Sequence, residues 1–184
     1  MGGYDPRTAR FLSFARARRD FLDGRDSPRA YLERCLETIA AREPALRAFA
    51  ALNIEGARRA ADEADGRYRQ GRPLSPVDGM PLGIKDLLET ADMPTEANSP
   101  VLKGWSSGRD AASVHALRRG GALIIGKTVT TEFGVGASGP TRNPHDPERT
   151  PGGSSSGSAA AVAANMVPAA LGTHAMGSII RPSS

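Results

Sequence analysis

Along this 184-residue chain the apolar positions change period several times, and each change marks a predicted element. From Pro28 to Arg42, Leu32, Cys35, Leu36 and Ile39 recur at helical spacing and form one stripe. Ser27 stands at the N-cap with Pro28 at the first helical position, and Glu43-Pro44 is expected to end the helix. Phe49–Asn53 reads as a short strand. Glu55–Gln70 reads as an Ala- and Arg-rich surface helix stopped near Gly71 and Pro73. Residues Met80–Asp86 form a short apolar strand that ends on charge. Asp110–Arg119 is helical, with Val114 and Leu117 inward and Gly120-Gly121 as terminator. Ala122–Gly126 is apolar on both faces, as buried parallel strands are. Five glycines and four prolines between Gly134 and Gly153 make that stretch loop. The small residues Ala159–Ala164 predict a helix that packs closely, and Val167–Leu171 a further strand. Strand, helix and strand alternate, so the expected class is α/β: a mixed sheet with parallel strands flanked by helices. Residues 1–26 are expected as an N-terminal arm or helix, and 27–184 as one domain.

Composition narrows the function classes. Hydrophobic residues make up 39% and charged residues 24%, which fits a globular chain with a real core. No apolar run approaches bilayer length and no secretory signal pattern opens the chain, so no membrane association and a cytoplasmic location are the default expectations. Arg7, Arg10, Arg16, Arg18 and Arg19 resemble a presequence, but Asp5, Asp20, Asp23 and Asp26 are mixed in, which favours a solvated surface helix. The net charge is +4, and the excess sits in residues 1–72, with 15 basic and 11 acidic side chains against 9 of each in 73–184. Without an aromatic stacking platform, this does not predict direct nucleic-acid binding. The single cysteine, Cys35, excludes an internal disulfide and a cysteine-built metal site. Of 24 basic residues only Lys85, Lys103 and Lys127 are lysines. Where arginine supplies surface charge, lysine marks places at which a removable proton matters.

Two serine- and glycine-rich clusters carry candidate chemistry, Pro151–Ser158 and Gly172–Pro182. Their glycines allow close backbone approach, and a loop opening a helix aims free N–H groups outward. A Walker-type loop would need a lysine before its Ser/Thr, and a dinucleotide fingerprint a different glycine spacing, so no nucleotide or other cofactor is expected. Nucleophilic catalysis by serine remains, and it requires a base. His115 falls on a polar helix face and His145 in a Pro-rich loop. His174 precedes Ser178 by four residues without an acid placed to orient it. A buried lysine with a lowered pKa is the alternative. Lys85 and Lys127 both end apolar strands, and spacing does not choose between them; Lys103, beside Gly104 and Trp105, is expected to be exposed.

These clusters resemble the two halves of the signature of the amidase signature family, which uses a Ser–cis-Ser–Lys triad. The resemblance extends through GMPLGIKD (79–86), GALIIGKTVTTEF (121–133) and PTRNPHDPERTP (140–151), and so covers about residues 27–184. It implies Lys85 as general base, Ser154 as the bridging serine with a cis peptide, Ser178 as nucleophile and Lys127 as structural. It further implies that backbone N–H groups of Ala175, Met176, Gly177 and Ser178 hold the oxyanion, worth about 3–4 kcal/mol per good donor. Departures are present. Ser156 replaces a usual glycine, and His174, Ala175 and Met176 fill the usual Asp-Thr-Gly places. Met176 puts a side chain beside the expected oxyanion loop, and Arg181 comes one position late. The implied function is hydrolysis of a small-molecule amide. The alternatives are the A subunit of an aminoacyl-tRNA amidotransferase and an inactive fragment serving as an interaction module. Family members continue past the signature, so a truncated chain is expected, with homo-oligomerisation or a missing C-terminal half to cover its sheet.

Overall fold

The first described element already departs from expectation. In a computed structural model that describes residues 13–184, α1 (Phe14–Leu22) is docked rather than solvated. Phe21 is buried and meets Tyr31 and Tyr68 edge-on at centroid distances of 5.9 and 5.4 Å, while Arg16 and Arg19 face outward. Edge-to-face pairs add about 0.5–1.5 kcal/mol each beyond their area, enough to hold a two-turn helix. Asp5, Arg7 and Arg10 lie outside the described residues.

Helix α2 (Pro28–Leu46) starts as expected, with Ser27 Oγ accepting the Ala30 N–H at 3.2 Å. It runs past Glu43-Pro44, which was expected to end it. A proline in the last turn removes a single bond, and two local anchors outweigh that loss. Leu46 is buried, and the Glu43 carboxylate accepts the N–H groups of Ala48 and Phe49 at 3.1 and 2.9 Å. Strand β1 (Phe49–Leu52) leads to α3 (Ile54–Arg69), capped by Asn53, and then to β2 (Pro81–Lys85). Helix α4 (Ala112–Arg119), β3 (Leu123–Thr128), α5 (Ser156–Ala163), β4 (Ala169–Leu171) and the short α6 (Ile180–Ser183) follow.

The fold is α/β. Its sheet has the order β1-β3-β2-β4, with β1 antiparallel to β3 and β2 parallel to both β3 and β4. β2 and β3 are buried along their whole length, as the apolar run Ala122–Gly126 predicts for β3, and the burial extends to Lys85, Lys127 and Thr128 at their ends. Alternation sends Leu123 and Ile125 to a core shared with α1, α2, α3 and α5, and Ile124 to a second core with Leu82, Ile84 and Val114. β4 is shorter than the expected Val167–Leu171 strand. All three of its residues are half-buried, because it pairs on one side only; Val167 is buried but lies outside it. Among the described residues no helix is long and apolar enough to cross a membrane.

Under α3 lies a charge with no exposure: Asp78 accepts both arms of Arg67 at 2.9 and 2.7 Å and the Leu74 N–H at 2.8 Å. Removing one partner of a buried pair costs about 3–5 kcal/mol, because the other is left uncompensated. Asp78→Ala is expected to lose that much stability in urea-monitored unfolding. A change under about 1 kcal/mol would show that water reaches Arg67 freely.

Candidate active site

The site forms where parallel strands end, at the carboxyl edge of the sheet. Lys85 is the last residue of β2. Ile84 pairs with Leu171 of β4, so the chain leaving β4 carries Gly172 and Thr173 past Lys85. From behind, the loop into α5 brings Ser154 and Ser155. Lys85 is fully buried, and Nζ donates to Ser154 Oγ at 2.6 Å, Thr173 Oγ1 at 2.7 Å and Ser155 Oγ at 3.0 Å. Burial without a carboxylate partner pushes the Lys85 amine down to about 8.

Lys127 is equally buried but differently served. The register pairs it with Ile84, which places it on the opposite face of the sheet from Lys85. There Nζ lies 3.0 Å from Asp86 Oδ1 and donates to Thr95 Oγ1 at 2.6 Å. Burial lowers the Lys127 amine and raises the Asp86 carboxyl, and each charge opposes the shift of the other. A carboxylate thus opposes the loss of the Lys127 proton, whereas the hydrogen-bond partners of Lys85 are all hydroxyls. Lys103 is exposed.

The serine loops carry the other named residues. The Gly153–Ser154 peptide is cis, and Ser154 O accepts the Thr131 N–H at 3.1 Å. Ser178 is buried, and its carbonyl accepts the Ser155 N–H at 3.0 Å, so it stands beside the lysine cluster. Among the described residues no hydrogen bond joins the Ser154 and Ser178 hydroxyls. Nor does any use the N–H groups of Ala175, Met176, Gly177 or Ser178, which remain free to meet an acceptor. Gly177 takes φ 90°, a torsion suited to glycine, and turns this run. Met176 is 85% exposed, so its side chain points into solvent rather than across the loop. Ser156, in place of the usual glycine, is buried at the start of α5 and donates to Val129 O at 3.3 Å. His115 and His145 are exposed. His174 is exposed too, and its Nδ1 accepts the Ile179 N–H at 3.2 Å.

Ser155 and Thr173 were not singled out by sequence, although both also accept from Lys85 Nζ. Ser155 also joins the two loops, since Oγ accepts the Thr173 N–H and donates to Thr173 O, both at 3.3 Å. The available signal was weak: a hydroxyl two residues after Leu171, and a second serine directly after Ser154.

Comparison with known proteins agrees with this architecture. The family model described as Amidase matches residues 30–184. The chain belongs to the amidase family. It is similar to the A subunit of the glutamyl-tRNA(Gln) amidotransferase of Acidothermus cellulolyticus at 44% identity, with 97% of this chain and 35% of that protein covered. Its fold is similar to the peptide amidase of Stenotrophomonas maltophilia, with a TM-score of 0.87 and 37% identity over 94% of this chain and 38% of that one. A bacterial aryl acylamidase of the amidase signature family gives a TM-score of 0.87 at 29% identity, covering 94% and 37%. The chain thus spans about a third of the length of the curated amidase-family relatives it matches.

Proposed function

We propose that this chain carries the nucleophile and base of an amide hydrolase that works through a serine acyl-enzyme. Neutral Lys85 takes the proton of Ser154, Ser154 takes that of Ser178, and Ser178 Oγ attacks the amide carbonyl of a small-molecule substrate. The N–H groups of residues 175–178 receive the oxyanion. Collapse breaks the C–N bond, the relay run backwards protonates the leaving amine, and water releases the acid. The observation that carries this reading is the fully buried Lys85 amine bonded to three hydroxyls and no carboxylate. The transfer from Ser178 to Ser154 requires their hydroxyls to close when substrate docks, as catalytic hydrogen bonds commonly tighten in the Michaelis complex.

A second reading shares this chemistry and has its own support in the 44% identity to the A chain of a tRNA-dependent amidotransferase. In that reading the chain works as one subunit of an assembly. Co-purification with partner subunits would favour it over a free-standing amidase.

The test is covalent. A fluorophosphonate is expected to label the protein at one residue, with peptide mapping placing the adduct on Ser178. An adduct on Ser154 or Ser155 alone would overturn the assignment of the nucleophile.

A further inference from the structure

The ion pair on the far face of the sheet is connected to the serine cluster through backbone. Lys127 Nζ, paired with Asp86 at 3.0 Å, also donates to Pro94 O at 3.0 Å and Thr95 Oγ1 at 2.6 Å. Asp86 accepts the Glu96 N–H on both carboxylate oxygens, at 3.3 and 3.2 Å, and its carbonyl accepts the Ala97 N–H at 3.1 Å. Residues 94–96 are therefore fastened to this pair of side chains, and Ala97 to the main chain of Asp86. That segment in turn holds the next one: Ala97 O accepts the Phe133 N–H at 3.0 Å, and Ser99 Oγ donates to Glu132 at 2.9 Å. At the foot of this second turn, the Thr131 N–H donates to Ser154 O, and a Cβ added at Gly134 would stand 3.7 Å from Ser154 Oγ.

The backbone between pair and serine is held in uncommon torsions. Ala97, Asn98 and Phe133 have φ of 51°, 52° and 47°, in the left-handed region that non-glycine residues seldom adopt. Such residues persist where surrounding contacts over-determine them, and they gather at functional sites. Here the backbone bonds of Ala97 and Phe133 lead back to Asp86.

We propose that Lys127 is a positioning residue for the site: with Asp86 it clamps residues 94–97, which brace the 131–134 turn against Ser154 and keep Lys85 enclosed. The inference rests on the reading of Lys85 as the base and adds a residue that acts on it without touching substrate. The charges facing the clamp are few. Glu89 and Asp92 favour the charge on Lys127, and Glu96 opposes that on Asp86.

Three lysines make the test direct, because a sample labelled at lysine Cε gives three carbon signals. Lys127→Met leaves two, from Lys85 and the exposed Lys103. In the unsubstituted protein Lys85 is expected to titrate at about 8, well below the ordinary lysine value. In folded Lys127→Met, checked by circular dichroism, its midpoint is expected to rise by at least about one pH unit toward the ordinary value near 10.4. A merely structural role would lower the melting temperature and leave the midpoint in place, and that result overturns the proposal. Should the lone Asp86 prevent folding, the double variant Asp86→Asn with Lys127→Gln removes both charges; the same rise is expected there, and an unmoved midpoint overturns the proposal equally. A Lys85 that titrates at the ordinary lysine value near 10.4 before any substitution overturns both this inference and the assignment of the base. Failure in the variants alone leaves that assignment standing.

Discussion

Ser178→Ala is expected to abolish fluorophosphonate labelling, and Lys85→Met to slow it by about 100- to 10,000-fold, the usual range for losing a positioned general base. The second effect follows from the amine's surroundings. In the proposed relay its neutral form is the active one, and burial holds the group down to about 8. At pH 7 about one molecule in ten then carries the neutral amine, against fewer than about one in a thousand for a lysine in water. Labelling of the parent should therefore rise with pH up to about 8 and level off above it. Deprotonation activates, so the rise is on the acid side. In Lys85→Met that rise should vanish, leaving a slow and flatter profile. Lys85→Arg separates base from hydrogen-bond donor, because it can keep bonds to the hydroxyls but cannot release a proton at these pH values. It should be as slow as the methionine variant. A Lys85→Met protein labelled at the parent rate would redirect attention to Lys127 or His174.

Where long apolar runs or clear caps were present, the elements were legible from sequence. β3 is the clearest case: the apolar run Ala122–Gly126 predicts a strand buried on both faces, and β3 is so buried. Ser27-Pro28 likewise marked the start of α2. What escaped depends on contacts between distant residues. Pro44 would end an isolated helix, but Glu43 caps the backbone beyond it and Leu46 is buried, so α2 continues. The start of α5 was hidden by its composition. Ser156 and Ser158 read as loop, yet their hydroxyls have partners in β3 and β4 or just beyond, such as Leu171 O at 2.9 Å from Ser158 Oγ.

The lysines illustrate the same limit. Lys85 and Lys127 both end apolar strands, so no local property distinguishes them, and the resemblance to a family made the choice. The physical difference is one residue of register. Lys85 pairs with Thr128 and Lys127 with Ile84, which turns the two amines to opposite faces. One meets serine and threonine hydroxyls, the other a carboxylate. Neither neighbour is close in sequence to both lysines, so register had to be known first. Ser155 and Thr173 escaped for a related reason, since each matters through a partner about 70 to 90 residues away.

Gly157→Val is expected to be the most destabilising single change at a small residue, because both directions open to a side chain there are closed by backbone. A Cβ at Gly157 would lie 2.2 Å from Ala48 O and 2.4 Å from Val129 N, and Gly157 N–H itself donates to Val129 O at 2.9 Å. Main-chain atoms held in a sheet cannot rotate away as a side chain would, so α5 must lift from β3. Lifting it stretches the Thr128–Ser158 hydroxyl contact at 2.6 Å and the bond from Ser158 to Leu171 O. It also carries Ser154 and Ser155, one turn upstream, away from Lys85. Overpacking of this kind exceeds the usual 1–3 kcal/mol when nothing can yield, and a loss above about 4 kcal/mol is expected. Against a total of about 5–15 kcal/mol, that removes much of the folded state. Gly66 supplies the control. It is also helical, in α3, but nothing stands within 4 Å of an added Cβ. Gly66→Ala should leave stability unchanged or raise it by up to about 1 kcal/mol, through helix propensity alone. Thermal melts of the two variants beside the parent decide the matter. A Gly157→Val protein that melts within a few degrees of the parent and keeps its fluorophosphonate reactivity would show that α5 can slide on the sheet without disturbing the serines it carries.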